Sequence, residues 1–174
     1  MKKFAFIIIF INFMFALTGY EIAESMDQRN TPIDSKVDLQ MTLTNKKGKT
    51  RIYSMRSIIK NDGEKQIVWF ISPPDDKGIS FLKIEHDDKD DEMRMWLPAF
   101  KKVRRISSKK KGDAFMGSDL SYEDLSSREL NENDYNRMED DPVNGIDCYV
   151  LEIIPKKEAK SSYIKHVSLS LIHI

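Results

Sequence analysis

The sequence contains a single cysteine and has no excess of positive or negative charge. Cys148 is the only cysteine among 174 residues, so the chain can form neither an internal disulfide nor a metal site that needs a pair of cysteines. Because Cys148 lies in a stretch of alternating apolar residues, we predict that it is a buried core residue. The 28 lysines and arginines balance 28 aspartates and glutamates, which argues against a protein that binds nucleic acid.

The sequence also lacks the motifs of common catalytic sites. The three histidines, His86, His166 and His173, are far apart along the chain, and no G-x-S-x-G, H-E-x-x-H or Gly-rich phosphate loop is present. The acidic stretch 87–92 lacks the glycine and the residue order of an EF-hand, so a solvated hairpin tip is favoured over a calcium site. We therefore predict a protein that is not an enzyme, with no catalytic residue, no metal and no cofactor.

Only one long apolar run occurs, and it lies at the N-terminus. Residues 4–17 are apolar at every position but one and follow two lysines. This run is shorter than the roughly 20 residues that span a bilayer, but it fits the apolar region of a secretory signal. We predict that residues 1–19 are a signal peptide, with cleavage after Ala16 or Gly19. The alternative is an uncleaved N-terminal anchor.

The remaining chain has the period-two pattern of a β protein. Thr18 and Glu21 match a capping box and predict a helix over 18–29. Alternating apolar residues and turn sequences then predict strands joined by short loops, which is typical of an antiparallel meander. The predicted strands are 37–43, 49–59, 66–71, 79–85, 92–97, 101–106, 146–154 and one that begins at 163. A loop is predicted over 107–119, followed by a polar region with weak helical character at 122–125.

The C-terminal residues 169–174 end the chain within an apolar strand pattern, without a turn or polar tail. This hexapeptide matches a translated sequencing adaptor, and we expect it to be a non-native tail. On that interpretation residues 20–168 form one domain whose C-terminal part is missing. The alternative is an ordinary apolar strand.

A basic stretch follows the predicted fifth strand. It contains Lys101, Lys102, Arg104 and Arg105, and then three more lysines at 109–111. Such a stretch can dock on anionic lipid headgroups, where each cation contributes about 1 kcal/mol, or on an acidic protein. It can equally be a charged edge strand that protects a sheet from aggregation.

Methionine and aromatic side chains are frequent for a small β domain. They can line a cavity between a curved sheet and a covering helix, because methionine adapts to ligands of varied shape. An ordinary core would contain the same residue types, and composition does not separate the two. The residues concerned are Met41, Met55, Trp69, Phe70, Phe81, Met93, Met95, Trp96 and Phe100.

Two segments resemble a known family. Residues 96–107 (WLPAFKKVRRIS) and 115–125 (FMGSDLSYEDL) are similar to the outer-membrane lipoprotein-sorting family of LolA-like carriers, and the similarity extends over nearly all of 18–167. The resemblance implies a mainly β protein with some α structure (α+β). Its expected architecture is a half-open, curved antiparallel sheet or barrel with covering helices, as in LolA and LolB.

The function implied by this resemblance is a periplasmic carrier for acyl chains of lipoproteins or lipids. Expected partners are an inner-membrane exporter or an outer-membrane receptor, with transient contact to a membrane surface. The alternative is a non-enzymatic envelope adaptor associated with a membrane exporter, which binds a protein partner through 101–111. By analogy, the cavity candidates are Leu39, Met41, Leu43, Trp69, Phe81, Met93, Met95 and Trp96. The signature residues, to which the resemblance assigns no chemical role, are Phe115, Met116, Gly117, Ser118, Asp119, Tyr122, Asp124 and Leu125.

Overall fold

A computed structural model describes residues 16–86 and 88–171, which form nine β-strands in two antiparallel sheets with one α-helix. The expected mainly β fold of the α+β class is thereby confirmed. Most of the predicted signal peptide and residues 172–174 lie outside the described residues. Within the described part of the chain, no helix is long and apolar enough to cross a membrane.

The helix α1 spans Gly19–Asp27 and begins as the sequence predicts. The Thr18 hydroxyl accepts a hydrogen bond from the Glu21 backbone N–H at 3.2 Å, and the Glu21 carboxylate accepts one from the Thr18 N–H at 2.7 Å. This reciprocal pair satisfies two N–H groups that a helix start leaves free. Gly19 packs so closely on the second sheet that a Cβ atom there would lie 2.6 Å from the carbonyl oxygen of Tyr135.

The first sheet is a meander of six strands in which each strand pairs with the next. Its strands are β1 (Ser35–Thr44), β2 (Thr50–Lys60), β3 (Lys65–Ser72), β4 (Ser80–Ile84), β5 (Glu92–Leu97) and β6 (Lys102–Ile106). All six agree with the predicted strands to within two residues at each end. The register shifts between Ser54 and Met55, where Ile71 of β3 is the extra residue of a β-bulge.

The second sheet has three strands in the order β7–β8–β9. They are β7 (Asn133–Arg137), β8 (Cys148–Pro155) and β9 (His166–Leu171). Strand β7 was not predicted, because it contains only one apolar residue, Tyr135, and its polar residues give no clear alternation. It exists because it pairs along its whole length with the apolar β8. Cys148 is a free, buried thiol with 2% of its surface exposed, as predicted.

Each sheet has its own hydrophobic core. Helix α1 covers one face of the second sheet, where Ile22 and Ala23 pack on Leu151 and Ile153. The first sheet is covered by the segment 113–128, which we call the covering segment. Among the described residues α1 is thus the covering α-helix, whereas the first sheet is covered by loops and two 3₁₀ turns, Phe115–Gly117 and Glu123–Leu125. The described strands do not join into one closed barrel.

Candidate functional site

One face of the first sheet is mainly apolar from β1 to β6, although Arg51, Lys83 and Arg104 also lie on it. In an antiparallel sheet, directly opposite residues share a face. Leu39 is opposite Met55, which is opposite Phe70, and Phe81 is opposite Met95. Six of the predicted cavity residues lie on this face, which the covering segment partly covers. They are Leu39, Met41, Leu43, Phe81, Met93 and Met95.

The structure separates Trp69 and Trp96 from this group. Trp69 pairs with Ser80, and Ser80 pairs with Trp96, so both indoles point to the opposite, outer face of the sheet. The sequence prediction counted both among the cavity residues, and the structure corrects this by placing them on the other face. The reason is the strict alternation of side chains along a strand, since Trp69 lies between the buried Val68 and Phe70.

The middle of the apolar face is closed by aromatic packing. The ring centroid of Phe115 lies 5.4 Å from that of Phe81 and 5.7 Å from that of Tyr122. Both pairs have the edge-to-face arrangement that aromatic rings prefer. Phe81 has no exposed surface. Met93 and Met95 are buried in the same cluster. These three candidates are therefore core residues in this closed arrangement.

The β1 end of the same face is open. Leu39 is 41% exposed, and Met41 and Leu43 are only partly buried, although all three lie on the apolar face. β1 is an edge strand, so its outer backbone groups have no strand neighbour among the described residues. Next to Leu43 a cleft of about 340 Å³ separates the β1–β2 hairpin from Gly117. Its other lining residues are Thr44, Asn45, Lys49, Thr50 and Arg51.

The far wall of this cleft is a tight turn in the covering segment. Met116 and Gly117 both have positive φ, 52° and 73°, which is the conformation of a type I′ turn. The Ser118 N–H donates to the Phe115 carbonyl at 3.0 Å, and the Ser118 hydroxyl donates to the same oxygen at 2.6 Å. Glycine is suited to the second position because it has no Cβ penalty at positive φ. Thus Met116, Gly117 and Ser118 of the signature shape the turn that holds Phe115 in the core.

Two neighbouring carboxylates fasten the covering segment to the connection between β8 and β9. The Asp124 carboxylate accepts hydrogen bonds from the Tyr163 hydroxyl at 2.7 Å and the Ser121 N–H at 2.8 Å. Glu123 accepts from the hydroxyls of Ser161 and Ser162 and from the Ser162 N–H. Sequence reasoning missed Glu123 and Tyr163, because no local pattern links residues about 40 positions apart. Of the remaining signature residues, Leu125 packs on the core and Asp119 is exposed.

The pKa values of both carboxyl groups are lowered. Burial alone would raise the pKa of Glu123, but hydrogen bonds from Ser161 and Ser162 and the charge of Lys111 outweigh it. For Asp124, burial is likewise outweighed, here by hydrogen bonds from Tyr163 and Ser121 and by the charge of Arg128. The ionised forms are therefore the ones that hold the covering segment in place.

We expect the double variant Glu123→Gln, Asp124→Asn to lose part of the pH dependence of stability. A carboxyl whose folded-state pKa is lowered stabilises the fold above its ordinary pKa, 4.5 for Glu123 and 3.8 for Asp124, and this stabilisation is lost as the pH falls through the lowered value. Urea unfolding across the acidic range measures the difference. Asp119→Asn, in the same segment but exposed, is the control and should leave the pH profile unchanged. Identical profiles for the double variant and the wild type would contradict this role.

The basic stretch is divided by β6. Lys101 and Lys102 lie at the start of this strand, whereas Lys109 lies beyond its other end, with about 13 Å of strand between the two groups. Arg104 and Arg105 are both exposed but point to opposite faces, since Arg104 pairs with Met95 and Arg105 with Arg94. The exposed cations of 101–111 are therefore distributed over both ends and both faces of β6.

The chain is similar to three solved structures and to one sequence family. A family described only as "Uncharacterized protein" matches residues 62–169. A DUF1329 family protein from Desulfovibrio piger is 36% identical with a TM-score of 0.80, and the match covers 88% of this chain and 67% of that one. A domain from Vibrio parahaemolyticus, described as an outer membrane lipoprotein-sorting protein, is 36% identical with a TM-score of 0.76, and the match covers 89% and 67%.

The third structure supports the fold alone. It is a LolA superfamily protein from Nitrosomonas europaea, 18% identical with a TM-score of 0.59, and the match covers 88% of this chain and 66% of that one. The chain thus spans about two thirds of the length of each of the three proteins. No curated protein matches it.

Proposed function

The chain belongs to the LolA-like family of outer-membrane lipoprotein-sorting proteins, and on that basis we propose that it is a carrier for the acyl chains of a lipoprotein or lipid. One observation supports this most directly. The apolar face of the first sheet continues to the β1 edge, where Leu39 is exposed, Met41 and Leu43 are only partly buried, and Leu43 lines an open cleft. A monomeric domain gains nothing from exposing such a row unless something else covers it.

The chemistry of this region suits an acyl chain. Each CH₂ group removed from water contributes about 0.8 kcal/mol, so several carbons lying along Leu39, Met41 and Leu43 of β1 would bind through apolar contact alone, while the polar residues of the cleft lie next to them. Leucine and methionine side chains can adjust to a flexible chain. The volume of about 340 Å³ is at the lower end of the range for ligand pockets. A longer chain would need the Met116–Gly117 turn to move away from the hairpin.

The proposed location is the periplasm, reached through the N-terminal signal. If the signal is cleaved, we place the cut after Ala16 rather than after Gly19. The Leu17 carbonyl accepts a hydrogen bond from Arg137 at 3.1 Å, and Thr18 caps α1. Cleavage after Gly19 would remove both contacts, whereas cleavage after Ala16 keeps them.

A carrier needs no chemical step, because it holds acyl chains by burying them in an apolar site and releases them when that site opens. We therefore propose that the protein is not an enzyme. Its donor and acceptor would be membrane-associated proteins that bind the open form, namely an inner-membrane exporter and an outer-membrane receptor.

Titration of the delipidated protein with a dansyl-labelled fatty acid tests this proposal. We expect saturable enhancement of dansyl fluorescence, because the probe moves from water into an apolar site, and competitive displacement by an unlabelled fatty acid of similar length. Absence of saturable binding by a folded protein would contradict the carrier role. It would leave the exporter-associated adaptor as the better proposal.

A further inference from the structure

The three loops at one end of the first sheet form a basic surface, which we call the loop end: residues 45–51, 73–79 and 98–102. In a meander, the first, third and fifth connections emerge at the same end of the sheet. Contacts confirm this here, because Arg51 forms an ion pair with Asp76 and Gly78 lies next to the ring of Pro98. Segments that are far apart in the sequence are thus brought together.

The loop end has a net charge of +5. Its cations are Arg51 and six lysines, and its anions are Asp75 and Asp76. All seven cations are exposed, and among the described residues none of the six lysines forms an ion pair. The lysines are Lys46, Lys47, Lys49, Lys77, Lys101 and Lys102. Like charges gathered without partners repel one another, and an anionic surface would relieve that repulsion.

The opposite end of the sheet does not share this charge. The turn 61–64 carries Asp62 and Glu64, and the residues 88–91 carry three aspartates against one lysine. Lys109, Lys110 and Lys111 lie at this end, where the neighbouring Ser108 donates a hydrogen bond to Asp90 at 2.7 Å. The cations there are interleaved with carboxylates, so the sheet is basic at one end and mixed at the other.

An aromatic side chain projects from the loop end. Phe100 is 70% exposed, the highest value among the described aromatic residues, and it directly precedes Lys101 and Lys102. Aromatic rings next to lysines are typical of segments that sit in the membrane interface, where the ring enters the headgroup layer and the cations meet lipid phosphates. Water-exposed phenylalanine at a loop tip gains free energy when such a layer covers it.

We infer that the loop end docks on the surface of an anionic lipid bilayer. The predominance of lysine favours a bilayer over an acidic protein, because protein interfaces are enriched in arginine and depleted in lysine, whereas a field of phosphates needs no fixed geometry. Lys49 and Arg51 also line the cleft beside Leu43. Docking would therefore place the cleft at the bilayer surface, although the inference does not depend on which cargo the cleft takes.

Flotation with vesicles tests the inference. The wild-type protein should float with vesicles of phosphatidylcholine and phosphatidylglycerol but not with pure phosphatidylcholine, and added salt should release it. Lys101→Glu with Lys102→Glu should weaken binding by about tenfold or more, since two cations are replaced by two anions. Phe100→Ala should weaken binding to the same vesicles without any change in charge.

The matched control is Lys109→Glu with Lys110→Glu at the mixed end of the sheet, which changes the net charge by the same amount. It should retain most of the binding. Equal loss in both double variants would show a nonspecific charge effect and overturn the inference. So would failure of the wild-type protein to bind anionic vesicles, or equal binding to both vesicle types. Because all three substituted variants should still bind the dansyl-labelled fatty acid, failure of the docking proposal is distinguishable from failure of the carrier proposal.

Discussion

Phe81→Ala is expected to lower the free energy of unfolding by about 3–5 kcal/mol. The ring of Phe81 is completely buried and contacts both Phe115 and Tyr122 of the covering segment, with centroid distances of 5.4 and 5.8 Å. Its removal creates a cavity and also removes the aromatic contacts that hold the covering segment on the sheet. Urea denaturation followed by tryptophan fluorescence measures this change.

Trp96→Ala is the control for this substitution. Trp96 is a larger aromatic residue on the neighbouring strand, but it lies on the outer face and is 38% exposed. Trp96→Ala should lower the free energy of unfolding clearly less than Phe81→Ala does. The indole buries less of its surface, and water can fill the space that it leaves. A smaller effect for Phe81→Ala than for Trp96→Ala would contradict the assignment of the two faces. Since Trp96 is itself a fluorophore, this pair is compared by circular dichroism.

The double variant Leu39→Asp, Met41→Asp is expected to lose most of its affinity for an acyl chain. Both side chains lie on the apolar face of β1 at its open edge. A carboxylate in contact with an alkyl chain must be desolvated without a partner, which costs several kcal/mol. We expect the dissociation constant for the dansyl-labelled fatty acid to rise by about a hundredfold or more. Stability should change less, because neither residue is fully buried.

The same strand provides the matched control. Gln40 and Thr42 alternate with Leu39 and Met41 and point to the outer face, where Gln40 is opposite Ser54 and Thr42 is opposite Ile52. The variant Gln40→Asp, Thr42→Asp adds the same charge to the same strand and has a similar effect on strand propensity. It should retain acyl binding. If the two double variants lose binding equally, the apolar face of β1 is not the site.

The sequence predicts well those helices and strands that are determined by patterns among residues close together in the chain. The capping box of Thr18 and Glu21 needs only residues three apart, and it sets the start of α1 as predicted. The alternation of Val37, Leu39, Met41 and Leu43 predicts β1, and turn residues predict its hairpin with β2. Strand β7 was missed because its pairing with β8, rather than its own composition, makes it a strand.

The geometry of the site depends on contacts that no local pattern reveals. Residues 67–71 are all apolar, so the sequence could not show that Trp69 points outward while Phe70 points inward. The hydrogen bonds of Glu123 and Asp124 reach residues 38 or 39 positions away. The loop end is assembled from three loops, of which the basic stretch at 101–102 is only one part. The order of strands in the sheet, which local sequence patterns do not give, is what brings the three loops to the same end.

The most direct test of the carrier role is mass spectrometry of organic extracts from the protein purified from a bacterial periplasm. The proposed function predicts diacyl or triacyl species in stoichiometric amount, absent from a control protein prepared in the same way and reduced in the Leu39→Asp, Met41→Asp variant. A folded, soluble protein that yields no lipid above the control would contradict the carrier role.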